Sequence, residues 1–154
     1  MKLKLVMVGK NNAKWIESCI VDYAKRINAF IIFELKYVKE AKNTDNPSLQ
    51  VKIESASILK EIAKEDFVVL LDEHGHQFTS KKFALEVEAW RNASKKCVVF
   101  VIGGAYGFDE AIFQRANMKM AISSMTLTHQ MVRVFFAEQL YRAFTIIKKL
   151  PYHH

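Results

Sequence analysis

The chain has 154 residues, enough for one hydrophobic core and too few for two comfortable domains, and 51% hydrophobic and 25% charged residues with only 5 Gly and 2 Pro exclude a disordered chain. No run approaches the roughly 18–20 apolar residues of a membrane helix, and Met1-Lys2-Leu3-Lys4 does not open a signal peptide, so no membrane association and a cytoplasmic location are expected. The formal net charge of +7 argues for a polyanionic partner, while Cys19 and Cys97, too few and too far apart for a disulfide framework or a zinc site, read as core thiols with no metal.

Lys2 to Val8 alternates charged and apolar residues before turning wholly apolar, the pattern of a strand whose far end is buried on both faces. Asn11 or Asn12 is then expected to cap a helix with an inward stripe of Ile16, Ile20, Tyr23 and Ile27, leaving Lys25 and Arg26 on the wet face. Ile31 to Val38 reads as a second strand. The polar run Lys39 to Ser48, with Asn43, Asp45, Asn46 and Pro47, reads as a loop before a helix around Val51 to Lys64. Phe67 to Leu71, Cys97 to Ile102 and Lys119 to Ser123 read as buried strands separated by helices over 80–94 and 109–116. A last helix is expected from Thr128 to Lys149.

Strands alternating with helices, without two-residue hairpin turns, define an α/β layer with a mostly parallel sheet, and ligands of such folds bind outside the carboxyl ends of the strands. Those ends are Leu71 to Gly75, Ile102 to Gly107 and Ile122 to Leu127. Gly103, Gly104 and Gly107, placed directly after an apolar strand, let the backbone turn tightly and approach a ligand, and Asp109 is the expected cap of the helix that follows. Their Gly-Gly-x-x-Gly spacing is neither a dinucleotide fingerprint nor a P-loop.

Asp72, Glu73 and His74 would serve acid/base or metal chemistry, or stand as a solvated loop. Ser123, Ser124, Thr126, Thr128 and His129 lie between a strand and a long helix, where hydroxyls and free amides hold polar ligand groups as well as cap the helix. His129, in the first helical turn, is expected to be neutral because the helix dipole disfavours a cation there. Val132, Phe135, Phe136, Leu140, Ala143, Phe144 and Ile147 make a wider apolar face than one core needs, a candidate subunit interface.

Read in order, Gly9, Leu71-Asp72-x-x-Gly75, Phe100-Val101-Ile102-Gly103-Gly104-x-x-Gly107, Ser123-x-Met125-Thr126-Leu127-x-His129-Gln130, Arg133, Glu138-Gln139-x-Tyr141-Arg142-Ala143 and Tyr152-His153 resemble the large-subunit ribosomal RNA methyltransferase H family of SPOUT-type enzymes over essentially the whole chain. The resemblance implies one domain over residues 1–154: an α/β fold whose parallel sheet carries helices on both faces and whose C-terminal segment forms a deep trefoil knot. It also implies an obligate homodimer that uses S-adenosyl-L-methionine (AdoMet) and no metal. AdoMet would lie against Leu71, Gly103, Gly104, Ile122, Ser123, Ser124, Met125, Thr126 and Leu127.

The implied reaction is methyl transfer to N3 of a pseudouridine in 23S ribosomal RNA, on assembled ribosomes. His129, Glu138, Arg142, Tyr152 and His153 are the candidates for accepting the imide proton or stabilising the anion. A SPOUT methyltransferase with another target nucleotide and a non-catalytic basic RNA- or ribosome-binding module remain the competing readings. Thr128 stands where many members of the family carry proline, and His154 where a terminal Lys or Arg is frequent.

Overall fold

The computed structural model describes residues 1–41 and 44–153. Asn43, read as part of the polar loop, and His154, read in place of a terminal cation, lie outside the described residues. In chain order the elements are β1 (Lys2–Val8), α1 (Lys14–Asn28), β2 (Phe33–Val38), α2 (Pro47–Leu59), β3 (Phe67–Gln77), α3 (Ser80–Asn92), β4 (Cys97–Ile102), α4 (Glu110–Arg115), β5 (Met118–Ala121) and α5 (His129–Ile147).

The strands form one five-stranded sheet in the order β2-β1-β4-β3-β5, with every neighbouring pair parallel. Period-two alternation divides its side chains between two layers. Leu3, Leu5, Met7, Val98, Phe100 and Ile102 face α1, α3 and α5, which add Ile27, Phe83, Trp90, Phe136, Leu140 and Phe144 to that core. Val6, Val8, Val68, Leu70, Val99 and Val101 face the opposite layer, filled by Ile58 of α2 and Ile112 of α4. β4 is buried along its whole length because it lies at the centre of the sheet with both faces covered.

Several local expectations are corrected. The N-cap of α1 is Ala13, which makes no side-chain cap, because the amide of Asn11 is taken by Tyr37, Glu17 and Arg133 instead. Tyr23 is half-buried at the rim while Ala24 fills the inward stripe, and Cys19 is likewise only half-buried, unlike the core thiol of Cys97. β2 begins two residues later than Ile31, since residues 29–31 close the end of α1.

Pro47 opens α2 instead of closing a loop: its missing N–H is harmless at the first helical position, and Asn46 caps the turn by accepting from the amides of Ser48 and Leu49. β5 runs Met118–Ala121, so Ile122 and Ser123 lie beyond the strand. The wide apolar face of α5 is mostly absorbed within the chain, because α5 packs against both α1 and α3. Phe136, Leu140, Ala143 and Phe144 are buried, Val132 and Ile147 are half-buried, and Phe135 alone of that set is exposed.

Candidate active site

A cleft of about 1050 Å³ opens at the carboxyl ends of β3, β4 and β5, where a parallel sheet leaves room for a ligand. β3 shapes one wall in a way its sequence does not advertise. Leu71 and His76 both pair with Met120 of β5, so the residues between them are extra to the ladder, and Asp72, Glu73 and His74 are displaced to line the cleft. Gly75 permits the return: a Cβ there would lie 2.5 Å from the backbone nitrogen of Met120. The expected loop over these residues is therefore a strand extension carrying a bulge. Thr126 Oγ1 donates to Glu73 Oε2 at 2.8 Å and ties this wall to the segment leading into α5.

The glycine turn forms the floor. Gly104 accepts from the Gly107 amide at 3.2 Å, and Asp109 caps α4 by accepting from the Ile112 amide. The tight turn expected of these glycines has a visible cause in the chain itself. A Cβ at Gly103 would meet the Gly107 carbonyl at 2.8 Å, and one at Gly104 would meet Glu54 Oε2 at 2.5 Å, so both positions are crowded by the chain itself.

Leu71, Gly103, Gly104, Ile122, Ser123, Met125, Thr126 and Leu127, all expected to hold the cofactor, line this cleft, whereas Ser124 is not among its lining residues. Asn12, Tyr106 and Gln130 also line it and are not among the site residues expected from sequence. Ser123 accepts from the Met125 amide at 3.0 Å, and Thr128 caps α5 by accepting from the Met131 amide. Apolar walls from Leu71, Ile102, Ile122 and Leu127, a turn with close backbone and the hydroxyls of Ser123, Thr126 and Thr128 suit a ligand with one flat apolar end and one polar end, which is the chemistry of AdoMet.

His129 faces the same cleft. Gln130 is oriented by two backbone partners: its Oε1 accepts from the Asn12 amide at 3.1 Å and its Nε2 donates to the Lys10 carbonyl at 3.2 Å. That Nε2 also lies 3.2 Å from His129 Nε2, so the imidazole nitrogen is the acceptor and the ring is neutral. Burial, followed by the charge of Arg133, lowers the His129 pKa, as the expected neutral role requires. Arg133 itself is fully buried behind the cleft, where it donates to the Gly9 carbonyl at 3.1 Å, to Asn11 Oδ1 at 2.9 Å and to the Val8 carbonyl. Burial lowers its pKa, opposed by Tyr37, Glu40 and Glu17.

Glu138, Arg142, Tyr152 and His153 do not line the cleft; Glu138 lies midway along α5, with Arg142 and Tyr152 gathered around it. Glu138 Oε1 accepts from Arg142 Nε at 3.0 Å and from the Tyr152 hydroxyl at 3.2 Å, and the Arg142 guanidinium lies 4.8 Å from the centre of the Tyr152 ring. Tyr152 also meets Tyr23 at 3.4 Å between hydroxyls and packs edge-on to Tyr141. Burial, then the contacts with Tyr23 and Glu138, push the Tyr152 pKa far above its ordinary value, which favours the protonated, hydrogen-bond-donating phenol. His153 is half-buried, and its Nδ1 is buried with no partner among the described residues. At 1.5 Å of rise per residue, Glu138 lies about 14 Å and Arg142 about 20 Å along α5 from His129. Within one chain the five candidate catalytic residues thus form two groups.

A parallel α/β sheet with a cleft of mixed apolar and polar lining at its strand ends is a setting for ligand binding or group transfer, and comparison with known proteins resolves which class this is. The family described as "Predicted SPOUT methyltransferase" matches residues 1–153. A protein of Christiangramia forsetii named ribosomal RNA large subunit methyltransferase H is 46% identical over 100% of this chain and 99% of its own length. Proteins of the same name from Flavobacterium johnsoniae and Phocaeicola vulgatus are 44% and 45% identical, again over 100% of this chain and 99% of theirs. The solved structure of a probable methyltransferase from Bordetella pertussis superposes with a TM-score of 0.56 at 14% identity, over 92% of this chain and 95% of that one. A probable methylase family protein from Haemophilus influenzae gives a TM-score of 0.55 at 14% identity, over 96% of this chain and 66% of that one. At 14% identity the two structures share the fold with this chain. The chain belongs to the SPOUT methyltransferases, in the ribosomal RNA large subunit methyltransferase H family.

Proposed function

We propose that this protein methylates N3 of a pseudouridine in 23S ribosomal RNA, on the assembled ribosome in the cytoplasm, with AdoMet as donor. The observation that carries this reading is the cleft at the ends of β3, β4 and β5, lined by eight of the nine residues the family resemblance assigns to AdoMet, in a chain that matches the family from end to end. The +7 net charge suits a ribosomal RNA substrate.

Leu71, Gly103, Gly104 and the segment Ile122 to Leu127 would hold AdoMet, Ser124 being included on family resemblance alone. When bound, its sulfonium makes the methyl group electrophilic without any metal. The protein's own work is alignment and exclusion of water. Tyr106 and Met125, exposed at the mouth of the cleft, offer apolar surface to an incoming base. His129 keeps a neutral ring at the cleft, able to take a hydrogen bond or a proton from the imide. Arg142, held by Glu138, suits stabilisation of the anion or of a phosphate.

The separation along α5 supports a working site built from two chains: a homodimer in which Glu138, Arg142, Tyr152 and His153 of one copy would complete the cleft of the other. Trp15 and Phe135, exposed at 57% and 43%, are apolar surface available to that contact. The fold family supports a single domain over residues 1–154 and a C-terminal trefoil knot. Calorimetric titration with AdoMet combined with sedimentation tests this reading. Saturable AdoMet binding by a dimer is expected, whereas a chain that binds ribosomes but no AdoMet would instead be an RNA-binding module.

A further inference from the structure

Glu54 is a carboxylate where the fold offers little reason for one. It lies on α2 at 1% exposure, outside the set of residues lining the cleft. Its Oε1 accepts from the Ala41 amide at 3.2 Å and from Gln50 Nε2 at 3.0 Å, which pins the group. Its Oε2 is buried with no hydrogen-bond donor among the described residues, and it faces the α-carbon of Gly104, where a Cβ would come within 2.5 Å of it. A buried carboxylate oxygen left without a donor is costly, so its location asks for an explanation. The next residue, Ser55, is also buried, and its Oγ accepts from the Asp109 amide at 3.3 Å. Two consecutive residues of α2 therefore bracket the turn, one behind Gly104 and one at its exit into α4.

We propose that Glu54 is a positioning residue of the cofactor site: its carboxylate is the stop against which the Gly104 backbone rests, and with Ser55 it sets the shape of the turn that holds AdoMet. The proposal builds on the assignment of the cleft to AdoMet. It explains why position 104 is a glycine, since the atom displaced by a larger residue would be a pinned carboxylate oxygen and not the ligand. Coupling runs from α2 through Glu54 to the floor of the cleft, although Glu54 does not line it.

The test pairs Gly104→Ala with Glu54→Asp, which keeps a carboxylate but withdraws it from the turn, and reads AdoMet affinity by calorimetry. Gly104→Ala alone is expected to weaken binding at least about tenfold, and in the Glu54→Asp background only about twofold, a coupling within the range that contacting residues show. Equal losses in both backgrounds would overturn the proposal and return the glycine requirement to the ligand. Amide exchange without cofactor supplies a readout that a variant with poor binding still gives. Glu54→Asp should speed exchange at Gly107 and Asp109 while leaving β1 and β4 protected, and unchanged exchange at the turn would contradict the proposal. Unaltered protein that binds no AdoMet would refute the cofactor assignment, and the proposal with it, a failure visible before any variant is made.

Discussion

Arg133 reaches the carbonyl of Gly9 at 3.1 Å, joining α5 to the end of β1 across 124 positions of sequence. The guanidinium also meets Val8 and Asn11, and its Nε finds no partner among the described residues. Asn11 in turn donates to the Tyr37 hydroxyl at 2.9 Å, which donates to Glu17. A buried cation thus anchors the first turns of α5, on which His129 and Gln130 are carried, to the carboxyl end of β1.

Replacing Arg133 with Met should therefore lower stability by roughly 2–4 kcal/mol, the scale of a few charge-assisted hydrogen bonds less the desolvation recovered. Arg133→Lys, which lacks the planar fork, should recover only part of the loss. Urea unfolding measures both, and a Met variant of parental midpoint would show that the network contributes nothing.

The lowered pKa of His129 has a definite sign. The folded chain favours the neutral ring, so on acidification the unfolded chain takes up its proton first. This contribution to stability is complete above the ordinary histidine value of 6.5 and is lost as pH falls through the lower folded value. Unfolding midpoints recorded against pH should show an acid-side decline that shrinks in His129→Gln, and an identical decline in both proteins would assign it elsewhere.

Much of this site is visible in the order of residues alone, and what escapes does so for physical reasons. β4 and its glycine turn stand out because an unbroken apolar run followed by glycines has few other readings, and Asp109 caps α4 as its position implies. The extension of β3 does not stand out, because it depends on Gly75 fitting against the backbone of Met120, a contact between distant segments. Asn11 fails as a helix cap because its amide is claimed by partners from β2 and α5. The candidate catalytic residues rest on the family resemblance, and sequence spacing does not reveal that Glu138 lies more than two turns along α5 from His129.

Salt should separate the two ligands. Association with ribosomes should weaken steeply with added salt, in proportion to the number of phosphates contacted, while AdoMet affinity stays nearly constant. Binding isotherms at several salt concentrations provide the slope, and salt-insensitive association would mean that the excess positive charge is only a solvated surface.

Tyr152 is docked onto α5 by contacts with Glu138, Arg142 and Tyr141, so the chain is held and not frayed at that residue. Deleting residues 152–154 should reduce methyl transfer at least about a hundredfold, the scale of a lost positioning group, while the melting temperature falls by only a few degrees. Single-turnover assays on ribosomes would detect the loss, and parental rates in the truncated protein would remove the tail from the site.

The most direct measurement is mass mapping of 23S ribosomal RNA from cells lacking this protein, before and after incubation of their ribosomes with the purified enzyme and AdoMet. The account predicts one pseudouridine lacking a methyl group at N3, restored by the enzyme and by no Arg142→Ala or tail-deleted variant at a comparable rate. An unchanged methylation pattern in the deficient cells, or a methyl group restored to a different nucleotide, would contradict it.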